Sequence, residues 1–291
     1  MKTIFSILSF LLFIDCFPQT HFPDLSPKGL VIQKIGLTTV EISYERPAAR
    51  GRKIMGELVP YNKLWRTGAG NCTKIKFNQP VVIGDRKINA GTFSLLTIPG
   101  PTEWIIILNR DTTLYGTRSY NQSKDLVRFN VKPEKSTRYY ESLTIDIDVI
   151  PNNAELYISW ESTQIHFTIG TESDKRTAEF IKQNLLTNKS KDSDEYATAA
   201  EYYFYLNKEL DQALILINSA VLRKKESWYF RLKIDILEKQ NKSQEAIEVA
   251  NQAIEMIQKK AEWDTQTKEQ SIEEYKVRIK NLENRKLNSQ G

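Results

Sequence analysis

Cysteine and histidine are almost missing from this 291-residue chain: Cys16 and Cys72 are its two thiols, His21 and His166 its two imidazoles. No Cys-x-x-Cys or His-x-x-x-His spacing can be assembled from them, and two histidines do not fill a typical zinc site, so no bound metal is expected. Gly-x-Ser-x-Gly is absent, which removes the usual signature of a serine hydrolase. No glycine-rich loop leads from a strand into a helix, so no dinucleotide or other organic cofactor is expected. Beyond the first residues no apolar run approaches the roughly 18 residues of a membrane-spanning helix.

What stands at the start is "MKTIFSILSFLLFIDCFPQT". Lys2 supplies a positive end, Ile4 to Ile14 form a continuous apolar stretch too short to span a bilayer, and Pro18-Gln19-Thr20 break it. This is the pattern of a secretory signal peptide, taken as residues 1–19 with cleavage between 15 and 20. A periplasmic or secreted protein is expected. Acylation at Cys16 is the weaker reading, because Asp15 stands where a lipoprotein signal needs a small residue. The mature chain then keeps one thiol, no internal disulfide and no transmembrane segment, so packing must stabilise it.

Hydrophobic residues make up 40% of the chain and charged residues 26%, as in soluble globular proteins long enough for two domains. The net charge of +5 is unevenly placed: residues 20–170 hold 19 Lys/Arg against 14 Asp/Glu, whereas residues 171–291 hold 21 of each. Residues 46–76 carry eight cations and one acid, Glu57. Charge alone would allow nucleic-acid binding, but export argues against it, and none is expected.

Two periodicities divide the sequence. From about 30 to 170 apolar residues alternate with polar ones, as in Val40/Ile42/Tyr44, Ile145/Ile147/Val149 and Ile165/Phe167/Ile169, the period of half-buried strands. "EWIIILN" is apolar throughout, as for a strand covered on both faces, and Gly84-Asp85 marks a turn between two strands. Nine or ten such segments predict an antiparallel β-sandwich or open barrel over residues 20–170. From "TESDKRTAEFIKQNLL" onward the spacing is helical, opened by a Thr-x-x-Asp cap. "DQALILINSAV" and "QEAIEVANQAI" repeat, with Ala213 aligned to Ala246 and Ala220 to Ala253, 33 residues apart. That period predicts tetratricopeptide-like helical hairpins, at 195–206 with 209–224 and 227–240 with 243–259, then a last helix at 266–287. Residues 171–291 are therefore expected to form an α-helical domain.

"YERPAARGRKIMGELVPYNKLWRTGAGNCTKIKF", "INAGTFSLLTIPGPTEWIIILN" and "DLVRFNVKPEK", in that order, resemble the bacterial domain-of-unknown-function family 2911. The similarity covers roughly residues 25–170 and rests on the Arg-Gly-Arg-Lys, Trp-Arg-Thr-Gly and Thr-Phe-Ser-Leu blocks. It implies a secreted bacterial β-rich domain with no established activity. At Gly70-Asn71-Cys72 the chain departs from the Asn-Glu-Ala pattern, so no polar role is carried over to that turn.

The long basic loop is the candidate site in the β half. Arg46, Arg50, Arg52 and Arg66 keep their charge at every physiological pH and can hold anions bidentately, while Tyr61 and Trp65 offer flat walls for a ring or sugar. Arg118, Tyr120 and Arg128 are downstream contributors. An anionic or glycan-like ligand is the expected occupant. The same residues admit a second reading, in which Arg46 and Arg66 pair with Glu57, Asp125 or backbone carbonyls to pin the loop and Trp65 plugs the core. Ser94, His166 and the Asp146/Asp148 pair read as packing or solvated residues, and no catalytic residue is assigned. The helical half is expected to contact a protein or peptide, with Tyr202, Tyr203, Tyr205, Trp228 and Tyr229 available as liners. A non-catalytic binding or scaffolding protein follows. The alternative is a hydrolase of polysaccharide or another anionic substrate, using Asp111 or Asp125 as acid/base. It requires two carboxylates about 5–10 Å apart in the cleft that holds Trp65.

Overall fold

Alternation over the first half becomes ten strands in two antiparallel sheets, in a computed structural model that describes residues 22–288, with side chains to residue 285. The expected signal peptide, Cys16 and His21 lie outside the described residues. One sheet has the order β1 (Lys28–Ile35), β2 (Thr38–Glu45), β3 (Lys74–Phe77), β6 (Gly91–Ile98), β7 (Trp104–Asn109), β8 (Asp125–Val131). The other has the order β5 (Arg86–Ile88), β4 (Val81–Ile83), β10 (Asn153–Thr171), β9 (Glu134–Ile150). Val40, Ile42 and Tyr44 of the first sheet and Ile145, Leu156, Ile165, Phe167 and Ile169 of the second share one buried core, which makes the pair a sandwich. Gly84 (φ 54°) and Asp85 (φ 62°) form the two-residue turn between β4 and β5, a positive-φ pair matched to hairpin twist.

β6 and β7 are covered on both faces. Phe93, Leu95, Trp104, Ile106 and Leu108 point into the main core, while Leu96 and Ile107 pack with Cys72 and Leu114 into a second small core. Residues 110–124 supply Leu114 and Tyr120 to that outer layer.

β10 is not one straight strand. Extended backbone would separate Glu155 from Thr168 by roughly 43 Å, yet the Thr168 hydroxyl donates to Glu155 at 2.6 Å. Tyr157 likewise stacks on His166, and Gln164 reaches Ser159. The strand therefore folds back on itself near Glu161, whose φ of 52° is left-handed.

From Ser173 onward all elements are helical: α1 (Ser173–Phe180), a π turn (Ile181–Leu185), α2 (Ser193–Tyr205), α3 (Leu210–Arg223), α4 (Ser227–Lys239), α5 (Ser243–Lys259) and α6 (Thr265–Asn288). Consecutive helices pack pairwise from α2 to α6. Ala213, Ala220, Ala246 and Ala253 are all fully buried, as close helix approach demands. The chain divides into two units between Asp174 and Lys175.

Candidate functional site

Residues 46–73, the basic loop, act as a strap across the two sheets. Outbound, Ala49 donates to the Glu141 carbonyl (2.7 Å) and Leu143 to the Pro47 carbonyl (2.9 Å), so the chain runs along β9. Inbound, Trp65 and Thr97 exchange N–H···O bonds of 2.7 and 2.9 Å along β6. Ala49, Ile54, Met55, Val59 and Trp65 enter the main core from the strap.

Most of its arginines donate to backbone carbonyls. Arg46 donates from Nε to the Leu143 carbonyl (3.1 Å) and from Nη2 to the Thr144 hydroxyl (3.0 Å). Arg52 donates to the carbonyls of Ala49 (2.9 Å) and Ala48 (2.7 Å), and Arg50 to that of Leu25 (2.7 Å). Arg66 lies apart, half-buried beside Cys72, with its Nε lacking any hydrogen-bond partner. Glu57, expected to receive an arginine, pairs with Lys53 instead (3.3 Å).

Trp65 corrects the expectation of an open aromatic wall. It is 9% exposed, donates its indole N–H to the Gly68 carbonyl (3.1 Å) and stacks on Trp160 with centroids 5.9 Å apart. Trp104 meets it edge-on at 6.3 Å. Tyr61 remains exposed, beside Glu134 at a shallow cleft of about 230 Å³. Arg118 is exposed on the cover segment 110–124.

Of the nine residues singled out from sequence, Tyr120 and Arg128 do meet, on Asp125. Tyr120 donates to Asp125 Oδ2 (2.6 Å), Arg128 Nη1 donates to the same oxygen (3.2 Å), and buried Asn109 donates to Oδ1 (2.7 Å). Burial, and then the hydrogen bond to Asp125 and its charge, push the Tyr120 pKa up to about 12. Nearby Asp111 accepts from Lys124 (2.7 Å) and from Thr113, and these donors hold its pKa down at about 2. Asp125 bonds to Asn109 on the outer side of β7, whereas Trp65 belongs to the core between the sheets. Cys72, the described thiol, is buried and its pKa is pushed up to about 12, so it stays protonated.

A different concavity lies in the helical unit. The stripe Glu195, Thr198, Ala199, Tyr202 runs along α2 at helical spacing and faces Phe180, Ile181 and Leu185 of α1 and the π turn across a groove of about 380 Å³. Phe180 is 46% exposed there. Asp192 and Asp194 join Glu195 at its mouth. Among the aromatics expected to line a partner groove, Tyr203 and Tyr229 are instead core residues, and Tyr202 alone lines this one. Nothing in the sequence singles out this groove: Phe180 and Ile181 fall in the stretch that opens the helical spacing, and their pattern does not separate a groove lining from a core face.

Residues 26–169 match the family described as "Protein of unknown function (DUF2911)". The β unit is a DUF2911 domain. No curated protein and no solved structure matches this chain. The groove between α1 and α2 lies outside the matched segment; the strap and the Asp125 cluster lie inside it.

The DUF2911 domain also holds its one described histidine between two carboxylates. His166 Nδ1 lies 3.0 Å from Glu155 and Nε2 lies 3.4 Å from Glu134, with Tyr157 stacked on the ring. Carboxylates on opposite ring nitrogens do not converge on one ion, and no group of three metal-binding side chains occurs among the described residues. Donation of a hydrogen bond to Glu155 favours the protonated ring and raises the His166 pKa. A raised folded pKa means that the stabilisation is complete below the unfolded value of about 6.5 and is lost as pH rises through the folded value. His166→Gln is therefore expected to destabilise the domain at pH 5.5 and to match the parent at pH 9. At this half-exposed site the difference should stay below about 1 kcal/mol. Urea midpoints at the two pH values check it, and a larger loss at pH 9 would contradict the assignment.

Proposed function

We propose that the protein acts by holding a partner polypeptide rather than by catalysis, with the helical unit as its recognition surface and the DUF2911 domain as a rigid, exported carrier. The observation that carries this reading is the groove between α1 and α2, where Phe180 stands 46% exposed over buried Ile181 and Leu185 beside the stripe of α2. Grooves of this kind accept peptide segments. Recognition by the strap is the lesser candidate, because Arg46, Arg50 and Arg52 already donate to carbonyls and Trp65 is buried. An anionic ligand there would have to compete with those bonds.

A hydrolytic role would fall to Asp111 and Asp125. Asp125 is held by three donors, and a carboxylate near pKa 2 such as Asp111 is a weak base at neutral pH. Both features favour the binding reading.

Site-specific photocrosslinking tests it in the producing cell. A benzophenone side chain at Thr198 is expected to give a discrete protein adduct, lost when Phe180→Asp charges the exposed apolar side of the groove. The same probe at Leu222, 86% exposed on α3, should give none. Equal adducts at both positions, or none at Thr198, would reject the groove as the working surface.

A further inference from the structure

The groove's rim has a chemistry of its own. Asp192, Asp194 and Glu195 stand at its mouth, and no lysine or arginine lines it. Part of their role is local: Asp192 caps α2 by accepting the Asp194 N–H (2.9 Å), and acids in a first turn oppose the helix dipole. Asp194 Oδ1 takes the Tyr229 hydroxyl (2.5 Å), and Glu195 Oε2 that of Ser190 (2.6 Å). Each contact uses one oxygen, and a carboxylate has two. None of the three forms a salt bridge among the described residues. Lys224, close enough to feel Asp194, has its ammonium on Glu226 at 2.8 Å.

The walls also have a length. α2 spans 13 residues, roughly 20 Å at 1.5 Å per residue, as do α1 and the π turn together. Ile181 and Leu185 are four apart within the π turn and both are buried, leaving Phe180 as its exposed apolar neighbour. Two helical walls of matched length, with Phe180 exposed in the groove they line, suit a third helix laid along them.

Resting on the binding reading above, we infer that the occupant is an amphipathic helix with lysine or arginine beside its apolar stripe. The apolar side covers the exposed Phe180 ring, and its cations meet the spare oxygens of Asp192, Asp194 and Glu195. Contacts of this rim type set orientation and partner choice more than affinity.

The test uses the mature full chain and labelled synthetic helices of about 14 residues, roughly four turns. One peptide carries leucines at i, i+3, i+4, i+7 with lysine flanks; a second has glutamate flanks; a third has the composition of the first with leucine spacing scrambled. Fluorescence anisotropy at low salt is expected to show the lysine-flanked helix binding about tenfold tighter than the glutamate-flanked one, since several rim charges act together. Asp192→Asn with Glu195→Lys keeps a capping residue and should erase most of that preference while leaving the circular dichroism unchanged. Equal binding of the lysine and glutamate peptides would overturn the basic-partner inference while the groove reading stands. Equal binding of the scrambled peptide would overturn the helix. If no peptide binds while the Thr198 adduct forms, the occupant is of another class and the inference fails alone; if that adduct is also missing, the reading beneath it fails too.

Discussion

Trp65→Ala is expected to cost the DUF2911 domain about 3–5 kcal/mol, the range for deleting a large aromatic from a packed core. The indole lies between Trp160 and Trp104 and is the deepest aromatic contribution of the strap. Removing it leaves a void bordered by two other indoles and takes from the Gly68 carbonyl the indole N–H that donates to it. Chemical denaturation followed by near-ultraviolet circular dichroism reads the change, with the denaturant slope checked for constancy. Arg50→Ala gives the contrast: its exposed guanidinium holds one carbonyl, so the loss should stay near 1 kcal/mol. A Trp65→Ala loss as small as that of Arg50→Ala would mean that the strap does not close the core.

The second large effect is at Asp125. Its carboxylate is 7% exposed and gathers Tyr120, Arg128 and Asn109. Asp125→Ala leaves a guanidinium, a phenol and a buried amide short of an acceptor, and about 3 kcal/mol of lost stability is expected. Asp125→Asn keeps the shape and one acceptor oxygen, and should lose about half as much. Thermal and urea unfolding of both variants measure this. If Asp125→Ala folded with parental stability, the cluster would not be what holds residues 110–124 onto β7 and β8.

Much of the architecture is legible in the sequence because it is periodic. Val40, Ile42 and Tyr44 declared their face by alternation, and Ala213 with Ala246 declared a repeat by spacing; both kinds of signal concern burial, which composition reports directly. The uninterrupted apolar run of β7 likewise matched a strand covered on both faces. The strap's arginines were harder, because a guanidinium that will bind an anion and one that will cap a carbonyl are the same residue in a sequence. Which it becomes depends on where irregular backbone leaves acceptors unmatched, and that emerges only when β9 arrives beside residues 46–54. Trp65 was ambiguous for a similar reason, since aromatic content does not say which side of a loop meets the core. The reversal in β10 was invisible: Glu161 takes a left-handed conformation without the glycine or asparagine that normally marks one. At the groove, Asp192, Asp194 and Glu195 belong to no sequence pattern that marks a site, and that no salt bridge engages them among the described residues appears only with neighbours in place.

The strap has a consequence for biogenesis. Its outbound leg, near residue 46, is held by partners about a hundred positions later, Arg46 on Leu143 and Tyr44 on Ile145. During synthesis the leading strands emerge long before those anchors, and contacts of such wide sequence separation form slowly. Until β9 is delivered, Ile54, Met55 and Trp65 have no second sheet to bury against. The nascent sandwich is thus a clasp whose catch arrives last, and its early half needs shelter from aggregation for as long as residues 134–150 are still on their way.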